Sequence, residues 1–249
     1  MVKVRLFVEA PLATVAPDIV VGSERAHYLM DVMRLRAEDE IRVFNGRDGE
    51  WTARLIGSDR RRCSLRLGRQ IAPQTAEAGP WLAFALIKRS RLDLLVEKAT
   101  ELGVQRLRPV TTQRTVTGVP NPARMRAITI EAAEQCGRMS LPQVDPPEAL
   151  AQMLRGWPPA RPLLAMSPGP DGRSIADACR ALPRDVAPGV LIGPEGGLTA
   201  SELDELLSLP FVVPVSLGRL VLRAETAAMA ALACVQALGA WAQAVDEGV

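Results

Sequence analysis

Three short segments of this 249-residue chain gather glycine, proline and charge directly after apolar runs. They are Met166-Ser167-Pro168-Gly169; the run Gly193, Pro194, Glu195, Gly196 and Gly197 after Val190, Leu191 and Ile192; and Ser216-Leu217-Gly218-Arg219. In open parallel sheets ligands collect at the carboxyl ends of strands, and glycine lets a ligand approach with no Cβ in the way. A single Gly-Pro-Glu-Gly-Gly turn is also what a tight strand-to-helix connection needs, so by itself it reads as structure. The third segment changes that balance. Beyond Arg219 it adds Leu220, Val221, Leu222, Arg223, Ala224 and Glu225, which puts arginines and a carboxylate between an apolar strand and a small-residue helix. Arg223 and Glu225 read either as a solvated pair capping the last helix or as groups lining a pocket.

Other chemistries find no support. The cysteines (Cys63, Cys136, Cys179, Cys234) form no CxxC pair, and His27 is the only histidine, so no metal is expected and the thiols read as reduced and mostly buried. There is no GxGxxG fingerprint, which argues against an ordinary Rossmann methyltransferase or dehydrogenase.

The elements that must position these residues fall into two patterns. Residues 1–72 read as a small β-rich module: a strand at Arg5–Val8, a helix capped by Ser23 and running through Leu29, Val32 and Met33, then strands at Ile41–Phe44, Trp51–Ile56 and Cys63–Leu67. Apolar residues alternate at Ile41 and Val43, at Trp51, Ala53 and Leu55, and at Cys63, Leu65 and Leu67, as in a meander able to close into a barrel. The turn at Ser58-Asp59-Arg60 and the run Arg60-Arg61-Arg62 read as solvated. Residues 73–79 lack periodicity and read as a linker.

From Trp81 strands alternate with helices. Strands are expected at Leu82–Ile87, Leu107–Val110, Leu163–Met166, Val190–Ile192 and Val212–Ser216. Helices are expected from about Leu92 to Gly103, at 122–137, Ser174–Leu182, Ser201–Leu209 and Glu225–Trp241. That alternation predicts an α/β domain with a largely parallel sheet.

Charge is a weak guide to partners. Residues 1–72 hold 13 Lys+Arg against 10 Asp+Glu, and the remainder 17 against 18, for a net of +2. Arginine supplies nearly all of it and suits bidentate phosphate recognition, although a GC-rich genome gives the same bias. The N-terminal apolar stretch is interrupted by Glu9 and Pro11 and does not read as a signal peptide. Ala224–Ala242 is nearly uncharged, but it is dominated by alanine and reads as a buried helix, not a membrane span.

Taken together, the motifs resemble one family. Ile192 to Gly197 and Leu217 to Ala227 are similar to the two C-terminal motifs of the ribosomal RNA small subunit methyltransferase E family, the 16S rRNA uridine-N3 methyltransferases of the SPOUT superfamily. Glu97 to Val104 and Glu131 to Arg138 resemble two of its helices. His27 to Leu29, Val32 to Leu35, and Phe44-Asn45-Gly46 resemble its N-terminal signature. The resemblance spans essentially the whole chain in order. Ala224 departs from it, standing where Thr is common, as does Asn45 where Asp is common.

The resemblance implies an α/β protein with a PUA-like β-barrel over residues 1–72, a linker at 73–79, and a SPOUT domain over 80–249. A deep trefoil knot is implied at approximately 163–240. It implies S-adenosyl-L-methionine as cosubstrate, held by Met166, Leu191, Ile192, Gly193, Glu195, Gly196, Gly197, Leu217, Gly218, Leu220 and Leu222. RNA contacts are expected at Arg34, Arg114 and Arg138. A cytoplasmic homodimer acting on 16S rRNA, in the assembled 30S subunit, is implied as well. The uracil N3 proton must leave, to a side chain or to water: Glu225 is a candidate base (or a group that only orients Arg223), Glu195 a second carboxylate, and Arg223 a group for charge developing on the uracil oxygens. Cys136 reads as a packed helix thiol, because attack by N3 needs no covalent adduct. The rival readings are a SPOUT enzyme acting on another RNA site, such as a ribose-2′-O methyltransferase, and a non-catalytic RNA-binding assembly factor.

Overall fold

A computed structural model describes residues 4–12, 18–58, 62–75, 77–116, 118–167, 172–183 and 185–239. Of the residues singled out above, Asp59, Arg60, Arg61, Pro168, Gly169, Trp241 and Ala242 lie outside the described residues. The chain divides into two units: Met1–Glu77 with Ala133–Leu141, and Ala78–Ala132 with Pro142–Val249.

In the first unit β1 (Arg5–Phe7), β2 (Asp18–Val21), β3 (Glu40–Phe44), β4 (Glu50–Ser58) and β5 (Cys63–Ala72) form one sheet in the order β1-β3-β4-β5-β2. The β1–β3 pair is parallel and the rest are antiparallel. Ile41, Val43, Ala53, Leu55, Cys63, Leu65 and Leu67 are buried on one face, as their alternation requires. Strand β2 is not expected from the sequence: it is only four residues long and is set by pairing with β5, Asp18 standing opposite Arg66. Asn45 organises the β3–β4 turn. Its side-chain oxygen accepts from the Arg47 and Asp48 N–H groups (3.0 and 2.9 Å), while its amide nitrogen donates to Asp48 (2.6 Å) and to the Ala10 carbonyl (3.0 Å). An aspartate could accept the first pair but could not donate the second, so the departure at Asn45 is a fitted one.

Ser23 is not a cap. Gly22 holds that position without a side-chain bond, and α1 (Ser23–His27) runs on into a π-helical turn at Tyr28–Val32. The wider turn keeps Leu29 buried but swings Val32 out to 58% exposure, so the expected apolar face breaks there. The segment Ala133–Leu141 is tied into this unit by polar groups. Glu134 accepts from the Phe7 N–H (2.8 Å) and pairs with Arg25 (3.1 Å), while Arg5 donates to the Ala133 and Arg138 carbonyls (2.7 and 3.0 Å). Within residues 73–79, Gln74 accepts from the Gly49 N–H and Glu77 accepts from Arg138 and Ser140.

The second unit comprises β6 (Trp81–Ala85), α2 (Arg89–Glu101), β7 (Arg106–Thr111), α3 (Pro122–Cys136, its last turn counted with the first unit), β8 (Gln143–Val144), β9 (Glu148–Ala149), α4 (Leu150–Arg155), β10 (Leu163–Ser167), β11 (Arg173–Ser174), α5 (Ile175–Arg180), β12 (Gly189–Ile192), α6 (Ala200–Leu207), β13 (Val212–Ser216) and α7 (Ala224–Leu238). Every pairing is parallel, in the order β11-β13-β10-β12-β6-β7-β8, with β9 also on β7. Parallel sheets survive only when both faces are covered. One face buries Leu82, Phe84, Leu107, Leu164, Val190, Ile192 and Val215 with residues of α2, α5 and α7. The other buries Ala83, Ala85, Val110, Leu163, Ala165 and Leu191 with α4 and Trp157. The two-residue strands and α4 are additions to the expected plan, since elements so short carry no period. Among the described residues no helix is long and apolar enough to cross a membrane.

Candidate active site

Strands β13, β10, β12 and β6 are consecutive neighbours and parallel, with Ser216 level with Ser167 and Ile192 level with Phe84. Their carboxyl ends therefore lie side by side. This brings together the starts of the three segments that the sequence singled out, the first of them as far as Ser167, and adds a fourth, the β6–α2 connection.

The loop after β12 is built for close approach. Gly197 donates to the Pro194 carbonyl (2.8 Å) and has φ +72, a conformation that L side chains rarely adopt. A Cβ at Gly193 would meet nothing nearer than Leu198 at 3.9 Å, and one at Gly196 nothing nearer than Arg114 at 3.8 Å. Space thus exists beside these backbones, and the protein does not fill it. Thr199 then caps α6 in a reciprocal box with Glu202. Glu202 also accepts from the Gln113 N–H (2.7 Å), which ties the loop after β7 to the start of α6. Burial alone would raise the Glu202 carboxyl, but bonds from the Thr199 and Gln113 N–H groups and the Thr199 hydroxyl outweigh it and hold the carboxyl below its ordinary range. Arg114, expected to meet RNA, is exposed and donates to the Gly196 carbonyl (2.6 Å), so it lies over the glycine loop.

Four charged side chains converge beside that loop. Arg91 Nη1 bonds Glu195 Oε1, and Arg91 Nε lies 3.7 Å from Glu225 Oε1. Arg223, itself exposed, comes to 4.0 Å from the same Glu195 oxygen. Arg223 and Glu225 therefore do not form the solvated pair that was one reading of the sequence. Glu225 is 8% exposed, and its second oxygen, Oε2, is buried with no hydrogen-bond partner among the described residues. An unpartnered buried carboxylate oxygen is costly, which makes it a candidate ligand-facing atom.

Sequence reasoning missed Arg91, although a signal was there. Lys88, Arg89 and Arg91 open α2, whose first turn has no acidic residue. Cations there oppose the helix dipole, each by about 0.3–1 kcal/mol, so such a run asks for carboxylate partners.

The remaining candidates are dispersed by role. Leu191 and Ile192 have side chains buried in the cores on opposite faces of the sheet, so only their backbones can face a ligand. Met166, Leu217 and Leu222 are partly buried against the core, while Leu220 is 77% exposed. Gly218 has φ +113, a Cβ placed on it would meet nothing within 4 Å, and its N–H is held by the Ser216 hydroxyl (3.1 Å). Ala224 is buried at the start of α7. Arg34 is exposed with φ +56. Arg138 must be corrected: its side chain is 10% exposed and bonded to Glu77 and Ser140, so it holds the first unit together and presents little guanidinium to a phosphate. Cys136 is likewise exposed, not packed.

A polar cavity of about 620 Å³ lies along β7, lined by Arg106, Arg108, Asp145 and Glu148 among others. Its charges pair with one another (Arg106–Asp145 and Arg108–Glu148, both 2.7 Å), Arg108 Nε alone lacking a hydrogen-bond partner among the described residues, and none of its lining residues belongs to a glycine loop. Among the described residues no cluster of His, Cys, Asp or Glu is arranged to hold a metal ion.

Known proteins resemble this chain over most of its length. Residues 78–236 match the family of RNA methyltransferase domains, and residues 21–68 match RNA methyltransferase PUA domains. The ribosomal RNA small subunit methyltransferase E of Rickettsia conorii is 32% identical over 236 residues, covering 94% of this chain and 96% of that protein. Its namesake from Synechocystis sp. is 32% identical, over 93% of this chain and 77% of that protein. The crystal structure of the Neisseria gonorrhoeae ribosomal RNA small subunit methyltransferase E bound to S-adenosyl methionine is similar with a TM-score of 0.84 at 27% identity, covering 95% of this chain and 98% of that one. By the match over most of its length and by this identity, the chain belongs to the ribosomal RNA small subunit methyltransferase E family.

Proposed function

We propose that this protein transfers the methyl group of S-adenosyl-L-methionine to N3 of a uridine in 16S rRNA, in the assembled 30S subunit. The observation that carries the reading is the buried, unpartnered Glu225 oxygen set beside a glycine loop with vacant Cβ space. The residues present fit the cosubstrate: backbone groups at three strand ends, apolar flanks from Met166, Leu217 and Leu222, and open backbone at Gly193, Gly196, Gly197 and Gly218. S-adenosyl-L-methionine, when bound, supplies a methyl carbon that bonds to N3 as its bond to sulfur breaks and sulfur keeps the electron pair. The protein's own tasks are to place the uracil in line and to handle its proton. Glu225 Oε2 accepts the N3 proton, Arg223 faces negative charge on the uracil oxygens, and Arg114 braces the glycine loop at Gly196.

The same reading takes the first unit as a PUA-like barrel that docks RNA, with Arg34 a contact. It takes the path from β10 to α7 as a deep trefoil knot at approximately 163–240. Supporting the knot, β13 lies outside β10, yet α7 packs on β12, α2 and α5, so the chain must return across the strand ends. A cytoplasmic homodimer is part of the proposal, supported by the small exposed residues Thr226, Ala233 and Ala237 on α7. Nucleoside mass spectrometry of rRNA from a deletion strain, before and after complementation, tests the function. Loss and return of one N3-methyluridine is the expected result, and an unchanged nucleoside profile would refute it.

A further inference from the structure

We propose that Arg91 is a positioning residue that holds the Glu225 carboxylate with one oxygen engaged and the other presented to the uracil N3–H. The inference rests on the proposed reaction, whose methyl and electron balance it leaves unchanged, and it concerns only the proton.

One guanidinium reaches two carboxylates from different loops. Nη1 bonds Glu195 in the glycine loop, and Nε lies 3.7 Å from Glu225 Oε1 at the start of α7. Arginine suits this because its charge is permanent and its planar fork fixes both directions at once, which a lysine ammonium cannot do. Glu225 is buried, so the group that engages Oε1 also fixes where Oε2 points. Among the described residues three buried side-chain atoms have no hydrogen-bond partner, Arg42 Nε, Arg108 Nε and Glu225 Oε2, and of these only Oε2 is a carboxylate oxygen able to accept a proton. The charged groups around it are Arg91 from α2, Glu195 from the loop after β12 and Arg223 from the loop before α7. None of these donates to Oε2. When the N3–H bond breaks, its proton passes to Oε2 and its electron pair stays on nitrogen, while Arg91 keeps the carboxyl in place.

The test uses the full chain with Arg91→Ala, Arg91→Lys, Glu225→Gln and the double variant Arg91→Ala/Glu225→Gln. Single-turnover methylation of 30S subunits is followed, S-adenosyl-L-methionine affinity is read by calorimetry, and melting temperature reports folding. Arg91→Ala is expected to lower the single-turnover rate about 100-fold, within the range for a displaced acid–base group, with cosubstrate affinity, which Arg91 touches through Glu195, falling by much less than the rate. Arg91→Lys should recover little of that rate, whereas millimolar guanidinium should recover part of it in Arg91→Ala and none in Glu225→Gln. The double variant should be no slower than the slower single one, because both act on the same step.

Multiplying effects, absent guanidinium rescue, or a loss of cosubstrate affinity matching the loss of rate would each overturn the role assigned to Arg91. A slow Glu225→Gln beside a native Arg91→Ala would remove Arg91 alone. A native Glu225→Gln would remove the proton acceptor and Arg91 with it, leaving methylation itself intact. Failure of the wild-type protein to methylate 16S rRNA would instead refute the proposed function.

Discussion

Substituting the glycines of the β12–α6 loop should separate ligand binding from folding, provided that the right glycine is chosen. Gly197 is the wrong one. At φ +72 any side chain is strained by about 1–2 kcal/mol, which for a chain of this size lowers Tm by roughly 2–8 °C. A Gly197→Val protein that lost affinity would thus have lost stability as well. Gly193 is not in that conformation, and its added Cβ would lie 3.9 Å from Leu198, an ordinary van der Waals distance. Gly193→Ala should therefore leave Tm within about 2 °C of wild type, as mutations without strain or cavity do. In a pocket where the cosubstrate lies against this backbone, the same methyl overpacks the contact by about 1–3 kcal/mol, or about 5- to 150-fold in Kd. Calorimetric titration with S-adenosyl-L-methionine, paired with a thermal scan, reads both quantities. Native affinity in a Gly193→Ala protein with native Tm would refute the placement of the pocket at this loop.

Three further outcomes follow from the geometry. Glu202→Ala removes the reciprocal half of the α6 capping box, leaving Thr199 as cap, and strips the Gln113 N–H of its partner, so stability should fall by about 2 kcal/mol at neutral pH by denaturant titration. Because the folded Glu202 carboxyl is held below its ordinary range, its contribution is full above the unfolded glutamate pKa and is lost as pH falls through the folded one; the gap between wild type and variant should close only in acid, and a gap constant from neutral pH down would contradict this. Arg114→Ala should weaken cosubstrate binding with little change in Tm, since the arginine is exposed and its bond is to the Gly196 carbonyl; an effect on RNA affinity alone would place it elsewhere. With a thiol reagent Cys136 should react first, because it is exposed, whereas burial raises the Cys63 thiol and pushes that of Cys179 up to about 11; rapid native labelling of Cys179 would show the core to be open.

Removing residues 1–72 would not be a clean way to isolate the second unit. The end of α3 would lose its partners, since Glu134 bonds Phe7 and Arg25, and Arg5 caps the Ala133 and Arg138 carbonyls. Such a cut changes α3 as well as the part proposed to dock RNA, so a slow truncated enzyme would be ambiguous. Point substitution at Arg34 is the better probe.

The sequence by itself determined the alternating α/β plan, the glycine loop after Ile192 and the charged start of the last helix. Each of these is local: period, turn chemistry and a neighbouring charge are written within about ten consecutive residues. Ile41 to Leu67 showed its buried face for the same reason, because alternation needs only the strand itself. What fell outside such windows was left to the tertiary structure. The two-residue strands β8, β9 and β11 are set by register against a neighbour, not by their own residues. The π-helical turn points Val32 outward where an α-helical period placed it inward. Arg138 sits beside a matched motif, yet Glu77, 61 residues away, claims it. Arg91, Glu195 and Glu225 span 134 positions in the chain and meet only because β6 and β12 are parallel neighbours and α7 returns to β12. Electrostatic pairing depends on distance in space, and only the folded sheet fixes that distance.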